Sequence, residues 1–216
     1  MLRSTKINKY KTKKLKKGNN IMARYSDLTL LIFNHDGHPP IDEVKYLISK
    51  GVLNDNDTAH SALVATVLTN NVELAEFLLD EGADVNAVGE KGQTALSIAV
   101  MWNNFEMVKL FVSRGANINH LDEKKKTAFE RALNFDRDSK VSLFLIENGA
   151  DVNLVGKTLF KDIVLTQTVD VFKASLQAGA DFSLIEKKDL LSLSGYAKYK
   201  EGFAELIKNP FLAFDE

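Results

Sequence analysis

Chemistry in this chain would have to start from its four histidines, because it holds no cysteine. His35 and His38 stand three apart with Asp36 between them. Two imidazoles and a carboxylate are the donors from which a divalent-metal site is built. The segment runs into Pro39-Pro40, however, and supplies no clear third ligand, so it reads as a polar turn. His60 stands apart, and His120 falls in a loop and reads as solvated. Serine, histidine and aspartate all occur, but no local nucleophile motif sets them together. The glycines stand singly rather than in a phosphate-cradling loop. Acidic pairs such as Asp80-Glu81 fall at surface helix ends, outside any pocket that general acid–base work would need. Disulfides, thiolate metal sites and cysteine nucleophiles are excluded outright. The residues point away from catalysis, and no catalytic, cofactor-binding or metal site is assigned.

What remains is recognition, and the elements that would position it recur. Thr94 sits where a helix N-cap belongs, with a hydroxyl able to accept an N–H of the first turn. Ala95, Leu96 and Ala99 then place an apolar stripe on one helix face. Asn103-Asn104 breaks the run, and a second helix opens at Phe105 with Val108, Leu110, Phe111 and Val112 as its expected buried residues. Gly115 ends it, since a helix commonly stops on a positive-φ residue that suits glycine. Asn117-Ile118-Asn119 carries the chain into an extended loop.

Both signals repeat. The stop recurs as Gly82-Ala83-Asp84-Val85-Asn86, Gly149-Ala150-Asp151-Val152-Asn153 and Gly179-Ala180-Asp181-Phe182-Ser183, with a weaker copy at Gly51-Val52; the glycines are 31, 33, 34 and 30 residues apart. The start recurs as Ser61-Ala62-Leu63, Thr127-Ala128-Phe129 and Thr158-Leu159-Phe160. Helices are expected near 26–33, 41–49, 60–68 and 72–80. One extra residue is expected around Asp136-Arg137-Asp138, and a shortened fifth unit over 156–185.

A period near 33 residues with this helix–turn–helix–loop grammar resembles the ankyrin repeat. Gly92, Thr94, Leu96 and Ala99 match the family's opening motif, and the segments starting at Gly82, Gly115 and Gly149 match its closing motif. Ala95 replaces the family proline, and Ser97 replaces the histidine that ties neighbouring repeats together. The resemblance covers roughly residues 25–216. It implies an all-α fold, a solenoid of stacked helix–turn–helix units with short extended loops, about five repeats and a C-terminal cap over 186–216. It further implies a non-enzymatic module that binds another protein through its concave face. Placed on that face by the resemblance are Leu68 and Thr69, then Met101 and Trp102, then Asn134 and Phe135. Trp102, the only tryptophan, and Phe135 occupy equivalent places 33 residues apart. They read either as binding anchors or, for Trp102, as core packed against the next helix. Loop tips add Glu90 and Lys91, then Lys124 and Lys125, as a charged rim. Val88, Leu121 and Val155 at the loop ends read as rim contacts or as packing between repeats.

Charge divides the chain. Residues 1–24 hold nine basic side chains and no acid, so the remainder holds 19 basic against 29 acidic, a net of −10. The tail reads as disordered. It is open to three readings: a solvated extension, with translation starting at Met22 as part of that reading; a tether to nucleic acid or an anionic membrane through Lys13-Lys14-Leu15-Lys16-Lys17; or a nuclear-import signal. The apolar Phe211-Leu212-Ala213-Phe214 either covers the last repeat or forms an exposed anchor. No apolar run approaches the roughly 20 residues of a membrane helix, and the basic start lacks the apolar stretch of a secretory signal. An intracellular location is expected, in the cytoplasm of its own cell or, by delivery, inside a host cell.

Overall fold

In the computed structural model the described residues are 26–54, 61–136, 138–158, 162–163 and 168–181. Among them the chain forms helices α1 (Asp27–Asn34), α2 (Ile41–Ser49), α3 (Ala62–Thr69), α4 (Val72–Asp80), α5 (Ala95–Met101), α6 (Phe105–Ser113), α7 (Ala128–Phe135), α8 (Lys140–Glu147) and α9 (Val169–Gln177). Short 3-10 turns occupy Glu90–Gly92 and Val152–Thr158. The described residues divide into two compact units, one drawn from 26–99 and 106–116 and the other from 100–105 and 117–181.

In the first unit the caps fall where hydroxyls and amides predict them. Ser26 accepts the amide of Thr29, Ser61 that of Val64 at 3.3 Å, Asn71 that of Leu74 at 2.8 Å, and Thr94 that of Ser97 at 3.3 Å. Each bond satisfies a first-turn N–H that has no partner inside its helix. Helix α1 packs on α2 and α3, and α3 on α4. Leu28, Ile32, Leu63, Leu78 and Phe111 are fully buried. Asn71 also donates to the carbonyl of Gly37, tying the start of α4 to the turn between α1 and α2. The loops are clamped in the same way: Asn54 donates to the Gly82 carbonyl at 3.0 Å and accepts the Asp84 amide at 2.8 Å, and Asn86 donates to the Gly115 carbonyl at 3.2 Å.

In the second unit α8 packs on α7 and α9, and α7 meets the 3-10 turn at Val152–Thr158. Phe129, Leu133, Leu145 and Phe172 fill its core. The rings of Phe105 and Phe144 meet edge to face, 5.4 Å apart at 83°, and Lys140 lies 4.4 Å from the centroid of Phe105.

The all-α repeat pattern is the one expected, with local differences. In α6 it is Met107, Val108 and Phe111 that are buried, while Leu110 and Val112 are only half-buried. Leu110 and Val112 stand on either side of Phe111 in sequence, and a single inward stripe cannot take three consecutive residues at 3.6 per turn. Helix α3 opens at Ala62 after its Ser61 cap and ends at Thr69, and His60 lies outside the described residues. The inserted residue near Asp136 is distributed along the repeat: α7 and its following turn are each one longer than α5 and its turn, while α8, at 8 residues, is one shorter than α6, at 9. Val155 is buried; the exposed loop-end residues are Val88, Leu121 and Leu154, spaced 33 apart. The expected tail over 1–24, most of the first half of the fifth repeat, the C-terminal helix pair and Phe211-Leu212-Ala213-Phe214 lie outside the described residues.

Candidate interaction surface

The loop at 122–126 in the second unit is held by its own buried carboxylate. The Asp122 carboxylate is 4% exposed. Its Oδ1 accepts the backbone amides of Lys124 at 2.8 Å and Lys126 at 2.9 Å, and its Oδ2 accepts from the guanidinium of Arg131 on α7. The loop closes on itself through the Lys125 amide to the Asp122 carbonyl, 2.8 Å, and the Asp122 amide to the Lys126 carbonyl, 3.1 Å. Lys125 takes a left-handed φ of 59° at the tip. Burial opposes ionisation of Asp122, but the Lys126 N–H, the Arg131 guanidinium and the Lys124 N–H outweigh it and hold the carboxyl below its ordinary value.

Helix α7 starts directly behind this loop, capped by Thr127 accepting the Glu130 amide at 3.1 Å. Its first turns carry two inward-held charges. Arg131 spans from Asp122 to the sulfur of Met101, to which it donates at 3.0 Å. Glu130, buried, receives the Lys126 ammonium. Glu130 occupies the position that Ser97 holds one repeat earlier. The Ser97 hydroxyl donates to the Thr94 backbone oxygen at 2.8 Å, whereas the Glu130 carboxylate neutralises a lysine of the loop.

Among the residues expected at the surface, Met101, Trp102, Asn134, Phe135, Lys124 and Lys125 all belong to the second unit. Arg131 directly links Met101 to the loop carrying Lys124 and Lys125. Asn134 is exposed and donates to the Glu130 carbonyl at 3.1 Å. Phe135 is 43% exposed. Trp102 is half-buried rather than exposed. Lys124 and Lys125 are exposed. Leu68, Glu90 and Lys91 belong to the first unit, where Leu68 is half-buried and the other two are exposed. Glu90 and Lys91 sit in a loop closed by the same two backbone bonds, the Gly92 amide to the Gly89 carbonyl at 3.2 Å and the Gly89 amide to the Gln93 carbonyl at 2.9 Å, but Gly89, standing where the second unit has Asp122, offers no carboxylate to the tip.

His35 and His38 are exposed in the turn after α1, where His38 Nδ1 lies 3.2 Å from the Asp36 carbonyl oxygen. His120 is half-buried rather than solvated. Among the described residues no group of three or more His, Cys, Asp or Glu is placed to hold a metal ion, and no helix is long and apolar enough to cross a membrane. Asp122 and Arg131 were not anticipated as organising residues. The available signal was an acid flanked by a lysine run in place of Gly89, followed by an arginine on a helix face that is otherwise aliphatic at the matching Ile98.

Two family models match the chain. Ankyrin repeats (many copies) match residues 59–112, and ankyrin repeats (3 copies) match residues 86–155. With the helix pairs, glycine stops and clamped loops above, these matches make the chain an ankyrin-repeat protein of the all-α repeat-solenoid class. No curated protein matches it. Ankyrin repeats are in general protein–protein interaction modules and generally non-enzymatic.

Proposed function

We propose that this chain binds a partner protein stoichiometrically, without catalysis, through the helix-end surface of Met101, Trp102, Asn134 and Phe135, flanked by Lys124 and Lys125. These are the concave-face positions of the family, and Leu68, Glu90 and Lys91 are the matching positions of the first unit. Phe135 carries the reading. Helix α7 buries Ala128, Phe129, Ala132 and Leu133 yet leaves a phenylalanine 43% exposed at its end. Folding does not use that apolar surface, and aromatic side chains so placed are the usual anchors of an interface. A surface held by caps and charge pairs also limits the ordering cost of binding.

The test is affinity capture from native lysate with four baits: the full chain, a chain starting at Met22, Met101→Ala/Trp102→Ala, and Phe135→Ala, each checked for helicity by circular dichroism. The expected result is a protein retained by the chain starting at Met22 and lost with both surface variants. Phe135→Ala is the cleaner probe, since Met101 also receives the Arg131 guanidinium. Capture that depends on residues 1–24 and ignores Phe135→Ala would overturn the reading and make the basic tail the working part.

A further inference from the structure

The loop at 122–126 carries a charge opposite to that of the body on which it stands. Beyond residue 24 the chain has a net charge of −10. At this tip, however, the acids are turned inward: Asp122 and Glu130 are both 4% exposed and are spent on Arg131 and Lys126. Lys124 and Lys125 remain exposed, with no ion-pair partner among the described residues, against the single exposed acid Glu123. Asp122 accepts the Lys124 and Lys126 amides, so the exposed Lys124 and Lys125 side chains both leave from one ordered loop.

From this tip α7 leads to the apolar anchor. Arg131 and Phe135 are four apart and so share one helix face. The rise from Thr127 to Phe135 is about 12 Å at about 1.5 Å per residue. An extended strand covers that distance in about four residues. Between the two ends no cation is left over, because Arg131 is neutralised by Asp122. A polyphosphate backbone, which needs a track of cations, would find charge only at the tip.

Resting on the interaction-surface reading above, we propose that the partner presents an extended acidic segment, with one or two carboxylates over Lys124 and Lys125 and an apolar or aromatic side chain on Phe135. The surface selects for the spacing between carboxylate and apolar residue.

The probe is a set of short labelled peptides in which an Asp-Asp pair and a Phe are separated by variable Gly/Ser spacers. Binding to the full chain is read by fluorescence anisotropy. The strongest binding is expected at a spacing of about four residues or somewhat more, since Lys124 and Lys125 lie beyond Thr127. Replacing Asp-Asp by Asn-Asn, or using Lys124→Glu/Lys125→Glu, is expected to lower affinity about tenfold. The charge-reversed protein should then prefer a Lys-Lys peptide of the same spacing, a swap that the basic tail, common to all arms, cannot produce. Equal binding of acid and amide peptides, or affinity indifferent to Lys124→Glu/Lys125→Glu, overturns the proposal. So does a single-stranded oligonucleotide that binds more tightly than the peptides and is lost with the same variant. If Phe135→Ala still abolishes lysate capture, the interaction surface stands and only its acidic-partner chemistry fails.

Discussion

The side-chain amide of Asn119 donates to the carbonyl oxygen of Gly149 at 3.0 Å. Its own oxygen accepts the amide of Asp151 at 2.8 Å. One asparagine thus satisfies a carbonyl at the end of a helix, where intrahelical partners run out, and a loop N–H beyond it. Asn153 repeats the arrangement on Gly179 at 3.0 Å and Asp181 at 2.8 Å, so the closing asparagines form a ladder along the loops. Asn119→Ala removes both bonds and should cost about 1–2 kcal/mol, since each partly exposed hydrogen bond is worth about 1 kcal/mol or less. Asn119→Asp keeps the acceptor for Asp151 but sets a carboxylate oxygen against the Gly149 carbonyl, so it should cost at least as much. Urea denaturation of the two variants checks the order.

Two glycines with nearly the same backbone angle should respond very differently to a methyl group. Gly115 has φ +82° and open space around an added Cβ, so Gly115→Ala meets only left-handed strain of about 1–2 kcal/mol. Gly37 has φ +85°, but its Cβ would fall 2.4 Å from both Cβ and Oγ1 of Thr69. Thr69 is held by its hydroxyl to the Ala65 carbonyl at 2.9 Å and has little freedom to give way. Gly37→Ala should therefore lower the melting temperature clearly more than Gly115→Ala.

This contrast shows what the chain discloses as a string of letters. The closing glycines announce themselves by recurring, because a left-handed helix stop depends on one residue type and can be read locally. Gly37 does not recur; its requirement comes from Thr69, a contact between residues distant in sequence. Asn54 was missed for a related reason. It follows Gly51 by three residues where the other repeats use four, yet it closes the same clamp on Gly82 and Asp84. The aromatic pair Trp102 and Phe135 was legible from spacing, but their difference in exposure was not, since that depends on what packs beside each. Asp122 and Arg131 are nine residues apart, outside any helical or strand period, so their pairing emerges only when the loop folds back on α7.

Asp136 gives a pH signature that runs against ordinary acid denaturation. Its carboxylate is 4% exposed and accepts the amide of Ser142 at 2.7 Å, which caps α8 in place of Ser139. Burial pushes its pKa up against the Ser142 hydrogen bonds, and the Asp138 carboxylate beside it adds to the rise. Asp138 is correspondingly lowered, first through its hydrogen bond with Asp136. A native value above the unfolded one means that this group's stabilisation is complete below the ordinary carboxylate range and is lost as pH rises through the native value. Asp136→Asn mimics the protonated form. It should be as stable as the parent or more so at neutral pH, and it should lose the gain that the parent shows on mild acidification. Urea midpoints measured from neutral pH downward decide this; a parallel pH profile for the two proteins would contradict it.

Asp122 titrates with the opposite sign and ties stability to the recognition loop. Its native value lies below the unfolded one, so its contribution is present above the ordinary carboxylate range and disappears as pH falls through the native value. Asp122→Asn keeps an oxygen for the Lys124 and Lys126 amides but leaves Arg131, whose side chain is 12% exposed, without its counter-charge. Removing one partner from so buried a pair should cost about 2–3 kcal/mol at neutral pH. The penalty should shrink in acid, where the parent carboxylate is itself protonated. Arg131 also reaches Met101, so the loss extends from the lysine tip to the helix-end surface. Asp122→Asn should therefore weaken partner capture although neither Lys124, Lys125 nor Phe135 has changed. Adding Arg131→Leu to Asp122→Asn removes the stranded charge and should recover much of the stability. If capture stays weak in that stable double variant, the charge pair positions the loop for binding. If capture returns with stability, the pair serves the fold alone.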